Sequence, residues 1–335
     1  MKPFKYTATS TVTAATQKIA ANPEAKYLAG GTNLLDLMKE DVEQPNELVD
    51  ITRLKLTGVK TIVEGTNQGG VLLGALDKNT DTANHPFIRQ NLPLLSQAIL
   101  AGASAQIRNM ASNGGNINQR TRCPYFYEVS MPCNKREPGT GCAALKGINR
   151  MHAIFGWSEQ CVAVHPSDMC IALAALDAVV KVQGPDGKAR TIPFLEYHRL
   201  PADAPQKDNN LNPGELITAI EIPKNNFANT SYYLKVRDRA SYAFALVSVA
   251  AALELDGNQI KQARVALGGV AHKPWRATVA EKFLIGKEAT EANFKAAAAQ
   301  EMKRAKPLEH NKFKIELSER AMARALMQAK TGGKA

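Results

Sequence analysis

Long apolar runs are missing from this sequence of 335 residues. No window reaches the 18 consecutive apolar residues that a membrane-spanning helix requires, so we expect no membrane span. The first 22 residues lack the apolar core of a secretory signal, so we expect no export signal in this chain. Charged residues make up an ordinary 22% of the chain and apolar residues 44%. That composition is typical of a packed globular protein and not of a disordered one.

The positive charge of the chain is not concentrated in runs. Lysine and arginine number 42 and aspartate and glutamate 31, which gives a net charge of +11. A basic surface can favour nucleic acid, anionic lipid or an acidic partner subunit. No block of five basic residues and no helix-turn-helix, zinc-finger or RNA-binding signature accompanies this charge. Nucleic-acid binding is therefore a minor hypothesis. In that hypothesis the chain would be a zinc-stabilised basic module that binds nucleic acid.

The length predicts two or three folding units. Residues 1–57 give the pattern of a βαβ unit, with strands at 26–29 and 47–51 around a glycine turn and a helix that begins at Leu34. Residues 58–225 mix strands and helices, which predicts an α+β unit. Its expected strands lie at 70–76 and 178–183, and its expected helices lie at 92–102 and 167–176.

A third unit is predicted over residues 229–335. Strands are expected at 231–237, 243–255 and 263–268, with an Asp256-Gly257 turn after the second of them. The remainder, 278–330, is rich in alanine, lysine, glutamate and leucine, which favours helices. We therefore expect a small sheet that is covered by helices on one face.

Two glycine-rich loops carry the first functional signal. Ala29-Gly30-Gly31-Thr32-Asn33 lies where a strand passes into a helix, and Ser112-Asn113-Gly114-Gly115-Asn116 repeats the glycine pair. Backbone N–H groups at such turns can hold phosphate, because glycine has no Cβ to block the approach. Plain turns are the alternative for both loops. The Rossmann and Walker spacings are absent.

Taken together, these motifs resemble a known family. The AGGTNLL loop at 29–35, the QIRN…GGNI loop at 106–117 and the HPSD motif at 165–168 are similar to those of the FAD-binding subunits of the xanthine dehydrogenase and carbon monoxide dehydrogenase family. Segments 215–223 and 235–253 extend the resemblance over nearly the whole chain. It implies a two-domain FAD-binding fold of the vanillyl-alcohol-oxidase type, followed by the carbon monoxide dehydrogenase flavoprotein C-terminal type of domain.

The resemblance also implies an FAD site. By motif position, the pyrophosphate is held by Lys26, Tyr27, Leu28, Ala29, Gly30, Gly31, Thr32, Asn33 and Leu34. The pocket is completed by Gly102, Arg108, Ser112, Gly114, Gly115 and Asn116. Asp168 would bind the polar side of the flavin, with Ile217 and Lys235 also near it. The residues alone leave other roles open. Asp168 could be an acidic residue at a helix N-terminus, Ile217 could be a core residue, and Lys235 could be a solvated charge on a strand.

Cysteine is scarce, and its distribution is uneven. Four of the five cysteines, Cys123, Cys133, Cys142 and Cys161, lie in an irregular segment at about 118–165 that is rich in proline and glycine. This crowding indicates a metal centre rather than a disulfide scaffold. Four thiolates suit either zinc or a [4Fe–4S] cluster, although the spacing fits no zinc knuckle and no ferredoxin run. Buried apolar cysteines are the alternative, and that is our reading of Cys170.

The cysteine insert resembles that of the flavin subunits of bacterial periplasmic aldehyde oxidoreductases and, more loosely, that of 4-hydroxybenzoyl-CoA reductase. This implies a [4Fe–4S] cluster on the four cysteines, with His152 and His165 as structural neighbours. It further implies an aldehyde-oxidising complex with a [2Fe–2S] small subunit and a molybdopterin-binding large subunit. Such complexes are often exported folded by a signal on the iron–sulfur partner, which implies the periplasm, with the cytoplasm as the alternative.

In that complex the chain would pass electrons through FAD to an acceptor, so no general acid or base is predicted in it. A stand-alone flavin oxidoreductase and a subunit like that of xanthine dehydrogenase or 4-hydroxybenzoyl-CoA reductase are the other readings.

Overall fold

Three sheets follow one another along the chain in the computed structural model, which describes residues 1–332. Each sheet carries its own helices, so the chain has the mixed α+β character predicted from the sequence. Over the described residues, no helix has both the length and the apolar character needed to cross a membrane.

The first unit is a three-stranded parallel sheet in the order β1-β3-β2. Its elements are β1 (Lys5–Ala8), α1 (Val12–Ala21), β2 (Ala25–Leu28), α2 (Leu34–Lys39) and β3 (Glu47–Asp50). The predicted βαβ unit is thus β2, α2 and β3, to which β1 and α1 add a second parallel crossover. Sequence patterning missed α1 because it buries only Ala15 and Thr16, although Thr11 caps it by accepting a hydrogen bond from the Ala14 N–H at 3.2 Å.

The second unit contains a five-stranded antiparallel sheet in the order β4-β5-β8-β6-β7. Its strands are β4 (Val59–Thr61), β5 (Val71–Gly74), β6 (Val179–Gln183), β7 (Ala189–Pro193) and β8 (Leu216–Ile222). Its helices are α3 (Asn79–Asn84), α4 (Pro86–Asn91), α5 (Pro93–Ala101), α6 (Ala105–Arg108), α7 (Asn113–Ile117), α8 (Pro124–Tyr127), α9 (Asp168–Ala175) and α10 (Phe194–Tyr197). Every residue of α9 is buried, as expected for a helix that is apolar all round.

The cysteine-bearing segment between α7 and α9 has little regular structure. It contains α8 and one 3₁₀ turn at Ala143–Leu145. Its Phe126 is fully buried against Leu37 of α2, in a small apolar cluster that also includes Cys133. The Arg122 guanidinium pairs with Asp36 of α2 at 2.8 Å. The segment is therefore packed on the first unit, although it belongs to the second in sequence.

The third unit is a four-stranded antiparallel sheet with three helices. Its elements are β9 (Ser231–Val236), β10 (Val247–Asp256), β11 (Gln259–Gly268), β12 (Trp275–Arg276), α11 (Thr278–Leu284), α12 (Glu291–Met302) and α13 (Phe313–Lys330). The predicted Asp256-Gly257 turn joins β10 to β11, with Gly257 at φ +57°.

Both faces of the third sheet are covered. Val249 and Ala251 of β10 pack in the cluster formed with α11, α12 and α13, whereas Ala250 and Ala252 pack in the cluster that contains α5 and α9. The unit's own helices thus cover one face, as predicted, and the second unit covers the other. This contact makes β10 almost continuously apolar.

Three buried histidines lie where the second and third units meet. The rings of His165 and His198 are 4.3 Å apart between centroids. His198 uses Nε2 to contact the Ile117 carbonyl at 2.7 Å, and His272 uses Nδ1 to contact the Arg199 carbonyl at 2.8 Å. Burial lowers the pKa of His198 and of His272 to about 4 and lowers that of His165 well below its usual value. All three are therefore neutral at pH 7 in the folded protein.

We expect these histidines to make the fold sensitive to acid. Their pKa values are near 6.5 when unfolded and about 4 for His198 and His272 when folded, so the unfolded chain binds more protons between these values. Stability should fall as the pH decreases through that window, by on the order of 2 kcal/mol per histidine between pH 7.5 and 5. Urea unfolding midpoints of the wild type and His272→Gln across this range measure it.

The His272→Gln variant should lose part of the pH dependence, because glutamine does not titrate. His310→Gln is the matched control for the exchange of a histidine for glutamine, since His310 is exposed and lies outside the group of three buried histidines. An unaltered pH slope in His272→Gln would contradict the assignment.

Candidate functional site

A cavity of about 550 Å³ lies between the first and second units. Most of the predicted cofactor residues line it: Lys26, Tyr27, Ala29, Gly30, Gly31, Thr32, Asn33, Leu34, Ser112, Gly114, Gly115 and Ile217. Both glycine loops therefore face one cavity, although they come from different units.

The first glycine loop joins the end of β2 to the start of α2. Gly31 adopts φ +71°, which glycine tolerates best. A Cβ on Gly30 would collide with the Met110 carbonyl oxygen, so the two loops can approach only because this residue is glycine. Within residues 1–332, the backbone N–H groups of Gly30, Gly31 and Thr32 meet no acceptor. They can all donate to an anionic ligand in the cavity.

Asn33 completes the donor set of this loop. Its side-chain oxygen accepts a hydrogen bond from the Arg120 N–H at 2.9 Å. Its Nδ2 group is buried and has no partner within the described chain. A buried donor that lacks a partner is costly unless a ligand satisfies it. The loop therefore has the polar groups that a diphosphate would use.

The second glycine loop leads into α7. Ser112 caps this helix by accepting a hydrogen bond from the Gly115 N–H at 3.2 Å, and the Cβ position of Gly114 is 3.2 Å from the Ala75 Cβ. Asn116 does not line the cavity. Its amide donates to Asn79 at 2.6 Å, and its side-chain oxygen accepts from the Ser167 hydroxyl at 2.6 Å. Asn116 thus connects the glycine loop with the start of α9.

Asp168 lies beside a second, smaller cavity of about 160 Å³, which Cys123 and His152 also line. Its carboxylate accepts hydrogen bonds from the Lys235 ammonium at 2.8 Å and the Tyr233 hydroxyl at 2.6 Å. The Lys235 side chain is only 4% exposed. The alternative of a solvated strand charge is therefore wrong for Lys235, because burial makes it depend on its carboxylate partner.

Several predicted residues shape the site without lining the larger cavity. Arg108 donates to the Gly102 carbonyl at 2.5 Å, where α5 ends. A Cβ on Gly102 would lie 3.3 Å from the Asp168 carboxylate, so Gly102 belongs with the Asp168 group. The predicted residues outside the larger cavity are Leu28, Gly102, Arg108, Asn116, Asp168 and Lys235.

Other cavity residues were not predicted from the sequence. Arg120 donates to Glu43 at 2.6 Å and to Asp208 at 2.8 Å, and Glu43 also lies 3.5 Å from the Lys26 ammonium. The Tyr27 hydroxyl donates to the Gly214 carbonyl at 2.8 Å. Arg120, Glu43 and Gly214 all line the cavity. Their positions depend on contacts between distant segments, which local sequence patterns do not report.

The four cysteines of the insert all line one small cavity: Cys123, Cys133, Cys142 and Cys161. Burial raises the pKa of Cys123 to about 12 and that of Cys161 to about 11. Backbone N–H groups partly offset this increase in pKa, and those of Phe126 and Tyr125 do so at Cys123. The Ala163 N–H is 3.5 Å from the Cys161 sulfur. Cysteine sulfurs that face backbone N–H groups in an apolar setting suit a bound metal centre, because a coordinated thiol is deprotonated by the metal.

Cys170 stands apart from this group. It is fully buried in α9 as part of the second unit's core, as predicted.

Comparison with known proteins gives the family. The FAD binding domain in molybdopterin dehydrogenase matches residues 2–225, and the CO dehydrogenase flavoprotein C-terminal domain matches residues 232–329. The chain belongs to this family of FAD-binding proteins. The fit of the glycine loops to a diphosphate agrees with that membership.

Among its relatives, the aldehyde oxidoreductase FAD-binding subunit PaoB of Escherichia coli is 47% identical over 330 residues, 98% of this chain and 99% of that protein. The glyceraldehyde dehydrogenase medium chain of Sulfolobus acidocaldarius is 29% identical, covering 85% and 82%. The solved carbon monoxide dehydrogenase of Hydrogenophaga pseudoflava superposes with a TM-score of 0.75 at 25% identity, covering 98% of this chain and 97% of that one.

We expect Gly30→Ala to abolish FAD binding, because the new methyl group would push the Met110 carbonyl and open the contact between the two loops. FAD content per chain after purification, measured by absorbance, reports the loss.

Gly184→Ala is the matched control. Gly184 lies in the hairpin between β6 and β7, where its Cβ would be 3.0 Å from the end of the Asp186 side chain and at an ordinary 3.7 Å from the Lys188 carbonyl oxygen. Full FAD occupancy in Gly30→Ala would show that the close approach of the loops is not required.

Proposed function

We propose that this chain is the FAD-binding electron-transfer subunit of a molybdenum-containing aldehyde oxidoreductase. The observation that carries the proposal is the joint presence of the glycine-loop cavity and the four-cysteine insert. Identity of 47% over almost the full length of an aldehyde oxidoreductase FAD-binding subunit supports the choice of aldehyde. Electrons would pass from a molybdenum cofactor through [2Fe–2S] clusters to the FAD and on to an acceptor.

The chain's own residues would bind and orient the flavin. The free N–H groups of Gly30, Gly31 and Thr32 would hold the diphosphate, and the Asn33 amide would add a further donor. The Asp168 carboxylate, itself held by Lys235 and Tyr233, offers an acceptor toward the smaller cavity. Bound FAD supplies the redox chemistry, accepting and donating electrons, while the protein fixes its position.

We also propose a [4Fe–4S] cluster on Cys123, Cys133, Cys142 and Cys161. A single tetrahedral zinc ion, with Zn–S bonds of about 2.3 Å, would bring its sulfurs to about 3.8 Å from one another. No three of these four sulfurs all lie within 4.8 Å of one another. The wider spread favours a cluster over a single zinc ion, and the N–H groups directed at the sulfurs support the same assignment.

Metal and flavin content tests this assignment. We expect about four irons and one FAD per chain, with a broad iron–sulfur absorption beneath the flavin bands. Cys133→Ser should lower the iron content, because the variant lacks one thiolate ligand. Cys170→Ala is the matched control and should keep the iron, because Cys170 lies in the core of α9.

Two results would overturn the proposal. A colourless protein with one zinc ion would favour the zinc-stabilised binding module. Aldehyde oxidation by the isolated chain would favour a stand-alone flavin oxidoreductase.

The proposed partners are a [2Fe–2S] small subunit and a molybdopterin-binding large subunit, in a heterotrimer. The proposed compartment is the periplasm, reached by export of the folded complex with a signal-bearing partner. Support comes from the cysteine insert, which resembles that of exported aldehyde oxidoreductases.

Co-expression tests both ideas. A tagged chain should copurify with the two neighbouring gene products and fractionate with periplasmic markers. Deleting the partner's signal should leave the complex in the cytoplasm. A chain that purifies alone would contradict the partners, and a cytoplasmic complex that retains the signal would contradict the compartment.

A further inference from the structure

His152 lies near the end of the cysteine insert and touches one of the four cysteines. Its Nε2 atom is 3.1 Å from the Cys123 sulfur, and the residue is only 3% exposed. Its ring packs at 45° to that of Tyr125, with 6.2 Å between centroids. Cys123 and His152 also line the smaller cavity that Asp168 borders. No other side chain is recorded in hydrogen-bond contact with a cysteine sulfur of the insert within residues 1–332.

The two nitrogens of His152 are in different situations. Nδ1 is buried and has no hydrogen-bond partner in the described chain. A ligating cysteine is a thiolate, which can only accept a hydrogen bond. A ring proton on Nδ1 would be left without an acceptor, whereas one on Nε2 points to the sulfur. The geometry therefore selects the tautomer that donates from Nε2 to Cys123.

The backbone of His152 is fixed by the third unit. Its carbonyl accepts hydrogen bonds from the Asn311 amide at 3.1 Å and from the buried Lys314 ammonium at 3.0 Å. The neighbouring Asn149 accepts from the His310 N–H at 2.9 Å. These contacts come from α13 and the segment that leads into it, so the backbone of His152 is held in place independently of the cysteines.

We propose that His152 is a positioning residue that donates an Nε2–H hydrogen bond to the Cys123 thiolate and thereby raises the reduction potential of the cluster. The inference rests on the proposed [4Fe–4S] cluster. Adding an electron makes the cluster more negative, so a donor at a ligand sulfur stabilises the reduced form more than the oxidised form. Removing the donor should lower the potential.

Redox titration of the full-length holoprotein, followed by the EPR signal of the reduced cluster, measures the effect. We expect His152→Leu to lower the equilibrium constant for reduction about tenfold, a shift of about 59 mV for one electron. His152→Gln should retain a potential close to the wild type, because its amide nitrogen can occupy the Nε2 position. His310→Leu is the matched control, since the His310 side chain is exposed and makes no hydrogen bond to a cysteine sulfur within residues 1–332, so the potential should not change.

A second measurement covers the case in which His152→Leu fails to assemble. In protein labelled with ¹⁵N-histidine, pulsed EPR of the reduced cluster should show a nitrogen coupling that His310→Leu keeps and His152→Gln loses. Absence of that coupling in the wild type would overturn the proposal, as would an unchanged potential in an iron-loaded His152→Leu variant. A wild-type protein without iron would instead refute the cluster itself, which iron analysis distinguishes.

Discussion

The approach of Gly30 to the carbonyl of Met110 is the contact on which the cofactor cavity depends. It joins the loop after β2, in the first unit, to the segment that precedes α7, in the second unit. Any larger residue at position 30 would separate the two loops. Gly30, Gly31 and Thr32 line the cavity, and their N–H groups meet no acceptor within residues 1–332, so the contact that closes the cavity also leaves donors available at its wall.

The cysteine insert is connected by hydrogen bonds and ion pairs to the glycine loop that follows β2. The Arg120 N–H holds the Asn33 side chain, and its guanidinium pairs with Glu43 and Asp208. Lys135, between two of the cysteines, pairs with the same Asp208 at 2.5 Å. The two cations lower the pKa of Asp208 despite its burial. One partly buried ion network therefore contacts both the wall of the cavity and the cysteine loop, so disorder in either is expected to disturb the other.

Features that depend on residues close together in the sequence could be predicted from it. Contacts between residues far apart in the sequence could not. The glycine pairs, the four crowded cysteines and the apolar run of α9 each carry a local signal, and the structure brings the first two into cavities. Glu43, Arg120 and Gly214 carry no such signal, because their places on the cavity wall follow from packing between distant segments. Lys235 was ambiguous for the same reason: only its contact with Asp168 shows that it is a buried partner.

Lys314 shows what the third unit contributes to the site. It is fully buried, and desolvation lowers its pKa to about 7. A buried lysine without a carboxylate partner costs stability, so an apolar residue there would favour folding more. Its ammonium instead donates to the His152 carbonyl at 3.0 Å and the Gly269 carbonyl at 2.7 Å, which ties the insert to the turn after β11. A buried lysine that lowers stability is expected where the placement of a functional group matters more than the stability of the fold. The position fixed here is that of His152, beside Cys123.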